Sequence, residues 1–227
     1  MNLAPAIARM LELRAKVPRG RAALFAVSGI DGSGKSTLAP RLAAGLREAG
    51  LNTVQLTIDA WHYPPVMRFS DANPGEHFYR YAFRWEEFFG HLVEALQRTG
   101  SVRLTTILTR QPENDFREHT FAFDGVDAIV LEGIFLFKRE FRPRYDLAIW
   151  VDCSFETALE RALARNQEGI SAEQICRDYD RIYFAAQRVH FARDNPRAGA
   201  DLILPNDHRL LPAAAPRLAG EPLQETA

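Results

Sequence analysis

The 227-residue chain has few cysteines, almost no net charge and no long apolar run. Its two cysteines, Cys153 and Cys176, lie in no C-x-x-C or zinc-type spacing, which excludes a disulfide framework and a zinc site of those patterns. A net charge of -1 excludes a global attraction to nucleic acid or to an anionic membrane. No segment reaches the roughly 18 apolar residues that span a bilayer. We therefore expect a cytoplasmic protein without a nucleic-acid or membrane partner.

Lysine is also scarce, and one of the three lysines lies in the most specific motif of the chain. The run G-I-D-G-S-G-K-S-T over residues 29–37 fits the phosphate-binding pattern G-x-x-x-x-G-K-[ST]. A short apolar run precedes it and leucines at helical spacing follow it, as a strand–loop–helix unit requires. Backbone N–H groups, a lysine and a hydroxyl would then face the phosphates and Mg²⁺ of a nucleotide. The predicted nucleotide-binding residues of this loop are Gly29, Asp31, Gly32, Ser33, Gly34, Lys35, Ser36 and Thr37, with Ser36 also at the metal.

Apolar runs of strand length alternate with helical patterns along most of the chain. This alternation predicts a parallel sheet with helices on both faces. Further strands are predicted at residues 53–58, 128–131, 147–151 and 201–204, helices at 85–98, 155–165 and 172–191, a hairpin from strands 102–109 and 118–123, and a long loop at 60–75. We divide the chain into an N-terminal amphipathic helix within 1–20, an α/β domain over 21–207 and a disordered tail over 208–227.

Two carboxylates follow strands of the predicted sheet, Asp59 after residues 53–58 and Glu132 after Ile129, Val130 and Leu131. Ligands of parallel sheets lie beyond the carboxyl ends of the strands, so both should converge on the phosphate loop. Phosphoryl transfer requires Mg²⁺, positive charge and a base for the acceptor hydroxyl. Asp59 is the candidate catalytic base and a second metal-site residue, and Glu132 is the candidate Mg²⁺ ligand. The alternatives are a turn or cap residue for Asp59 and a carboxylate satisfied by backbone donors for Glu132.

Arginines supply the remaining positive charge. Arg161 and Arg165 share one face of the predicted helix 155–165 and precede residues 166–171, which contain Gly169 and could close over a nucleotide. Both are candidate nucleotide-binding residues, and Arg165 is a candidate catalytic residue beside Asp59 and Lys35. A solvated helix face is the alternative.

Candidate acceptor-binding residues lie in two aromatic segments and on the last long helix. His62 and Tyr63 follow Asp59 in the predicted loop, and Tyr79 and Arg84 lie in residues 78–84, which would suit an anionic or ring-bearing acceptor. Arg188 could face the same cleft, as could the nearby His190.

These motifs occur in an order that resembles the uridine kinase and phosphoribulokinase family. The resemblance covers about residues 23–207 and includes the glycine loop, Asp59-x-x-His62, L-E-G-I-F-L at 131–136 and A-D-L-I-L-P at 200–205. It implies an α/β, three-layer P-loop NTPase fold that is nucleoside-monophosphate-kinase-like with a small β-hairpin insertion. It also implies ATP or GTP with Mg²⁺ and phosphorylation of a small-molecule hydroxyl. The implied roles are phosphate and Mg²⁺ binding for Lys35, Ser36 and Thr37, catalytic base for Asp59, a place near the metal for Glu132, a lid role for Arg165, and a place near adenine for Pro205, Asn206 and Asp207.

The chain departs from the family pattern where the acceptor would bind. Residues 76–81 replace an N-F-D-H-P-type stretch, residues 105–109 offer no P-x-Y-D segment, and residues 167–171 lack the R-G-R-D-type lid arginines. The acceptor is therefore open between uridine or cytidine, a sugar phosphate, pantothenate and a nucleoside monophosphate. A nucleotide-binding switch with slow hydrolysis is the alternative from another functional class. Whether the N-terminal helix or the hairpin forms a homo-oligomer is also open.

Overall fold

The computed structural model describes residues 1–110, 115–166, 169–209 and 217–218. Five parallel strands form its main sheet in the order β2-β5-β1-β6-β7, and a two-residue strand β8 pairs antiparallel to β7. Strands β3 and β4 form a separate antiparallel hairpin. The bounds are β1 Ala23–Gly29, β2 Thr53–Thr57, β3 Val102–Arg110, β4 Asp115–Phe123, β5 Ala128–Glu132, β6 Leu147–Asp152, β7 Leu202–Pro205 and β8 Arg217–Leu218.

Helices connect the strands and cover both faces of the sheet. They are α1 Ala4–Lys16, α2 Lys35–Glu48, a 3-10 turn Ile58–Trp61, α3 Pro65–Arg68, α4 Pro74–Tyr81, a π-helical stretch Glu87–Val93 that continues into α5 Glu94–Thr99, a 3-10 turn Arg142–Arg144, α6 Phe155–Arg165, α7 Ala172–Asp178, a π-helical stretch Tyr179–Tyr183 and α8 Phe184–Asp194. Within the described part of the chain, no helix is both long enough and apolar enough to cross a membrane.

Two hydrophobic clusters lie on opposite faces of the sheet. Phe25 and Val27 of β1 pack with residues of α1 and α2, whereas Leu24 and Ala26 of the same strand join the cluster of the other face. Every residue of β1 and β5 is buried, because both faces of these central strands are covered. This double burial explains why the strands are continuous apolar runs in the sequence.

The register of the central strands brings the predicted site residues to one edge of the sheet. Val27 of β1 and Thr57 of β2 both pair with Glu132 of β5. The phosphate loop follows β1 directly, and Asp59 follows β2 by two residues. The three segments therefore leave the sheet side by side.

The predicted fold class is confirmed, including the hairpin, but one prediction is wrong. Residues 60–75 are not a single loop, since Pro65–Arg68 forms α3 and Pro74 begins α4. Proline lies in the first turn of both helices, where its missing N–H removes no helical hydrogen bond. The prolines that indicated a loop are therefore helix starts. Most of the predicted tail 208–227 and residues 111–114 of the hairpin turn lie outside the described residues. The second hairpin strand begins at Asp115, so the turn predicted over 111–117 is shorter than expected.

Candidate active site

The carboxyl edge of the sheet opens into a cavity of about 540 Å³. Ten of the residues predicted from the sequence line it: Asp31, Gly32, Gly34, Lys35, Ser36, Thr37, Asp59, His62, Arg161 and Arg165. Six others were not predicted: Arg68, Phe69, Phe78, Ile134, Ala162 and Tyr183. The fold thus joins the phosphate loop to a second, largely aromatic wall.

The phosphate loop depends on glycine at position 34. Gly34 has a φ of 96°, a left-handed conformation that side chains disfavour. A Cβ there would lie 2.3 Å from Nδ2 of Asn206, so no other residue fits without displacing that side chain. Helix α2 begins at the next residue, which places its N-terminus against the cavity.

Arg161 and Asn206 hold the outer side of this loop. Arg161 Nη1 donates to the carbonyls of Gly32 and Ser33 at 3.3 and 3.2 Å, and its Nη2 donates to the carbonyl of Asn206 at 2.8 Å. Asn206 Nδ2 donates to the Ser33 carbonyl as well, at 2.7 Å. Because C=O and the following N–H point in opposite directions across a trans peptide, fixing the Ser33 carbonyl also fixes the Gly34 N–H. Both side chains therefore orient the loop from behind.

Lys35, Ser36 and Glu132 meet at the inner end of the cavity. Lys35 is buried and its Nζ donates to the carbonyl of Ile30 at 2.8 Å. The Ser36 hydroxyl donates to Oε2 of Glu132 at 3.3 Å, and Glu132 is only 4% exposed. A carboxylate at the end of β5 thus contacts the hydroxyl that follows the loop lysine.

Asp59 lies near Glu132 because a glycine permits close packing. A Cβ on Gly133 would lie 2.2 Å from Cγ2 of Ile58, so the residue before Asp59 packs directly against the residue after Glu132. Removal from bulk water inside the cleft, followed by the negative charge of Glu132, raises the pKa of Asp59 to about 7, while Lys35 and Arg165 oppose that shift. The residue keeps an exposed edge toward the cavity, so the carboxyl remains accessible to a ligand.

The structure also fixes the tautomer of His62. Its Nδ1 lies 2.6 Å from the backbone carbonyl of Asp59, and a carbonyl only accepts, so Nδ1 carries the hydrogen. Burial, and then the positive charge of Arg68, lower the pKa of His62 to about 3. The imidazole is therefore neutral at physiological pH, and its Nε2 is an acceptor.

The oxygen ligands at this edge suit Mg²⁺. No group of three or more His, Cys, Asp or Glu side chains in the described residues forms a metal cluster. Mg²⁺ does not need one, because it keeps several waters and binds through one or two carboxylates together with substrate phosphates. Glu132 with the Ser36 hydroxyl, and the nearby Asp59 carboxyl, supply such ligands beside the phosphate loop. The donor set therefore fits the ion.

Several predicted site residues lie outside the cavity. The Tyr79 hydroxyl donates to Asp194 at 2.6 Å in the core, where His190 also contacts Asp194. Arg84 bonds to Glu87 and to the Ile107 carbonyl, which attaches the hairpin to the domain. The Tyr63 carbonyl accepts from Arg68, and Arg188 is exposed near Asp180. Asp207 accepts from Ser154 and Thr157 at the start of α6. The others are Pro205 at the end of β7, Asn206 behind the loop, and Gly29 and Ser33 in the loop backbone.

Solved structures of similar fold cover most of this chain. A proposed fructose transport system kinase from a Silicibacter species matches with a TM-score of 0.75 and 23% identity, over 90% of this chain and 100% of that one. A proposed uridine kinase from Bacillus stearothermophilus matches with a TM-score of 0.68 and 20% identity, over 90% and 100%. D-glycerate 3-kinase from Cryptococcus neoformans matches with a TM-score of 0.60 and 10% identity, over 90% and 95%. The chain has the fold of P-loop kinases.

No family model matches the chain, and no curated protein sequence matches it either. At identities of 23% and below, the similar structures establish the fold. The reaction must be inferred from the chemistry of the cavity, because one fold supports many functions.

Proposed function

We propose that this chain is a kinase that transfers the γ-phosphoryl group of ATP, with Mg²⁺, to a hydroxyl of a small metabolite. The observation that carries the proposal is that Asp59, Ser36 and Lys35 line one cavity, with Glu132 hydrogen-bonded to Ser36 directly behind it. A phosphate loop alone would support nucleotide binding. A carboxylate with a pKa near neutrality beside that loop supports transfer to an acceptor as well.

Asp59 is the proposed general base. Its carboxylate takes the proton of the acceptor hydroxyl while that oxygen attacks the γ-phosphorus. The new O–P bond forms as the bond between the γ-phosphorus and the β–γ bridging oxygen breaks, and ADP leaves. Proton transfer is efficient when the pKa of the base lies close to the working pH, which fits the raised pKa of Asp59.

Cationic groups around the cavity stabilise the charge that develops during transfer. Lys35 follows the glycine loop and Arg165 lies on the last turn of α6, and both line the cavity. When Mg²⁺ is bound, it neutralises phosphate charge and polarises the transferring group. Glu132 and the Ser36 hydroxyl, which are in contact, would hold it directly or through water.

The acceptor half of the site gives no reason to restrict the proposed acceptor to uridine. The proteins of similar fold are described as a proposed uridine kinase, a proposed fructose transport system kinase and a D-glycerate 3-kinase, so their descriptions do not point to one acceptor. Tyr79 and Arg84, which the sequence suggested for the acceptor, are occupied in the core and at the hairpin. We therefore propose the reaction class first and treat uridine or cytidine as one member of the acceptor panel.

The direct test is ADP formation from ATP and Mg²⁺ with a panel of hydroxyl-bearing metabolites, including uridine, cytidine, fructose, pantothenate and sugar phosphates. We expect slow ADP formation without an acceptor and a large increase in its rate when one class of acceptor is added. Asp59→Asn should keep ATP binding and lower kcat by about 100-fold or more, because general base catalysis contributes about 10²–10⁴-fold. Lys35→Ala should weaken ATP binding itself.

Asp127→Asn is a matched control, since this carboxylate lies at the amino end of β5 and binds Arg14. It should leave kcat unchanged. Full activity of the Asp59 variant would refute the base assignment. A response to no acceptor, together with nucleotide-dependent binding of a protein partner, would favour a switch instead.

A further inference from the structure

Apart from the phosphate loop, Asp59 and the residues of α6, the cavity is lined by side chains that are aromatic or apolar, with the exception of Arg68. We call this wall the acceptor side, and its members are His62, Arg68, Phe69, Phe78, Ile134 and Tyr183. Phe69 stacks on Phe78 with ring centroids 5.7 Å apart, and Tyr183 meets Phe78 edge-on at 5.3 Å. Arg68 is the member of this wall whose side chain carries a permanent charge.

Arg68 is held in place by the local fold. It is the last residue of α3, its Nη1 lies 3.4 Å from the Tyr63 carbonyl, and its guanidinium lies 4.9 Å from the centre of the Phe69 ring. The residue is only 5% exposed, and burial lowers the pKa of its guanidinium. A guanidinium stays charged under such conditions, and a charge in a low-dielectric wall attracts an opposite charge strongly.

Among the described residues, three other cations that are buried or half-buried have different surroundings. Lys35 is buried in the phosphate loop, where it donates to the Ile30 carbonyl. Lys138 is also 5% exposed, but it donates to the Tyr79 carbonyl and lies 4.2 Å from the centre of the Tyr79 ring, outside the cavity. Arg161 lines the cavity, yet its guanidinium bonds to the carbonyls of the loop and of Asn206. Arg68 is the buried cation that lies among the aromatic residues of the cavity lining.

We propose that the acceptor of this kinase carries a carboxylate or a phosphate group, and that Arg68 binds that group while Asp59 faces the hydroxyl. The planar guanidinium matches either anion through two parallel hydrogen bonds. The neutral Nε2 of His62 can accept from a second hydroxyl of the same molecule. A cavity of about 540 Å³ that also receives phosphates of ATP favours a small hydroxy acid or sugar phosphate.

This proposal rests on the proposed kinase function, and matched acceptor pairs separate the two. D-glycerate is compared with glycerol, and ribose 5-phosphate with ribose and uridine, by ADP formation at saturating ATP and Mg²⁺. The charged member of a pair should have the higher kcat/KM by roughly 100-fold, as expected for a charge-assisted contact. The two charged compounds distinguish a carboxylate from a phosphate as the recognised group.

Variants then test the residue. Arg68→Gln should lower kcat/KM for the charged acceptor by roughly 100-fold, mainly through KM, and Arg68→Lys by roughly 10-fold because it keeps the charge without the fork. Lys138→Gln removes a buried cation outside the cavity and should leave the preference for the charged acceptor unchanged. The Lys variant keeps the test valid if the Gln variant does not fold.

The outcomes are distinct. If a neutral acceptor is phosphorylated best and Arg68→Lys does not change its kcat/KM, the proposal of an anionic acceptor is overturned and the kinase proposal stays intact. ADP formation that no charged or neutral member stimulates overturns both. A charged acceptor whose KM is insensitive to Arg68 but sensitive to Arg165 overturns the assignment of Arg68.

Discussion

Arg161 and Asn206 support the phosphate loop from behind, and this arrangement makes a quantitative prediction. Arg161→Met removes a charged donor from the carbonyls of Gly32 and Ser33. Both contacts come from the single nitrogen Nη1 and are long, at 3.3 and 3.2 Å, so we count them together as one charged hydrogen bond of about 1.5–3 kcal/mol. Without them the Gly34 N–H samples orientations that do not face phosphate, so only a fraction of the protein is competent to bind. We expect ATP affinity to fall about 10- to 150-fold.

Asn206→Ala removes a neutral donor at 2.7 Å from the same Ser33 carbonyl. The expected loss is about 0.5–1.5 kcal/mol, or about 2- to 10-fold in affinity. Because Arg161 and Asn206 share one acceptor, and Arg161 also bonds to the Asn206 carbonyl, their effects should be coupled. The double variant should differ from the sum of the single losses by about 0.5–1 kcal/mol.

The assay is isothermal titration of ATP with Mg²⁺ into the four proteins of this double-mutant cycle, with denaturant unfolding to measure their stability separately. Arg188→Met is the control, because that arginine is exposed and lies 3.6 Å from Asp180 on the surface. Losses that add within about 0.3–0.5 kcal/mol would refute the shared role. They would instead indicate that Arg161 contacts the nucleotide independently of the loop.

Three further predictions concern single positions. Gly34→Ala should abolish ATP binding, whereas Gly50→Ala should keep it and lose only about 1 kcal/mol of stability; both have positive φ, but only Gly34 has a side chain, Asn206, in the way of a Cβ. Asp59 has a raised pKa in the folded state, so the unfolded chain gives up this proton at lower pH and the stability of the fold decreases as the pH rises from about 4 to 7. Asp59→Asn should remove this pH dependence and raise Tm at and above neutral pH. An unchanged pH dependence of Tm in thermal melts would contradict the pKa shift. Tyr79→Phe should lose about 1–2 kcal/mol in urea unfolding with kcat/KM preserved, since its hydroxyl serves the core; a selective loss of acceptor affinity would place Tyr79 at the site.

The phosphate loop and the two carboxylates could be predicted from sequence because their positions depend on local rules. The glycine pattern specifies its own backbone shape, and a carboxylate at the end of an apolar run lies at the ligand edge of a parallel sheet wherever the strand is placed. Asp59 lines the cavity and Glu132 hydrogen-bonds to Ser36 beside it for this reason. The register of β1, β2 and β5 then brings them together without any longer-range signal.

The acceptor side could not be predicted in the same way. Arg68 lies in a segment whose prolines indicated a loop, and its burial depends on the packing of α3 against α4 and on its contact with the Phe69 ring. Conversely, Tyr79 sits among aromatic and basic residues that suggested an acceptor site, yet its hydroxyl bonds to Asp194 of α8. Both the burial of Arg68 and the hydrogen bond of Tyr79 depend on contacts between segments that are separated in the sequence.

Asn206 shows most clearly the difference between what the sequence determines and what only the tertiary structure determines. The sequence alone determined that a phosphate loop, a lysine, a hydroxyl and two carboxylates meet at one sheet edge, because backbone periodicity and glycine conformations are local properties. Only the tertiary structure decided that Asn206 and Arg161 bind the back of the loop and that Arg68 places a positive charge among the aromatic residues of the cavity. Such contacts join segments separated by many residues, and their geometry exists only once the helices have packed on the sheet.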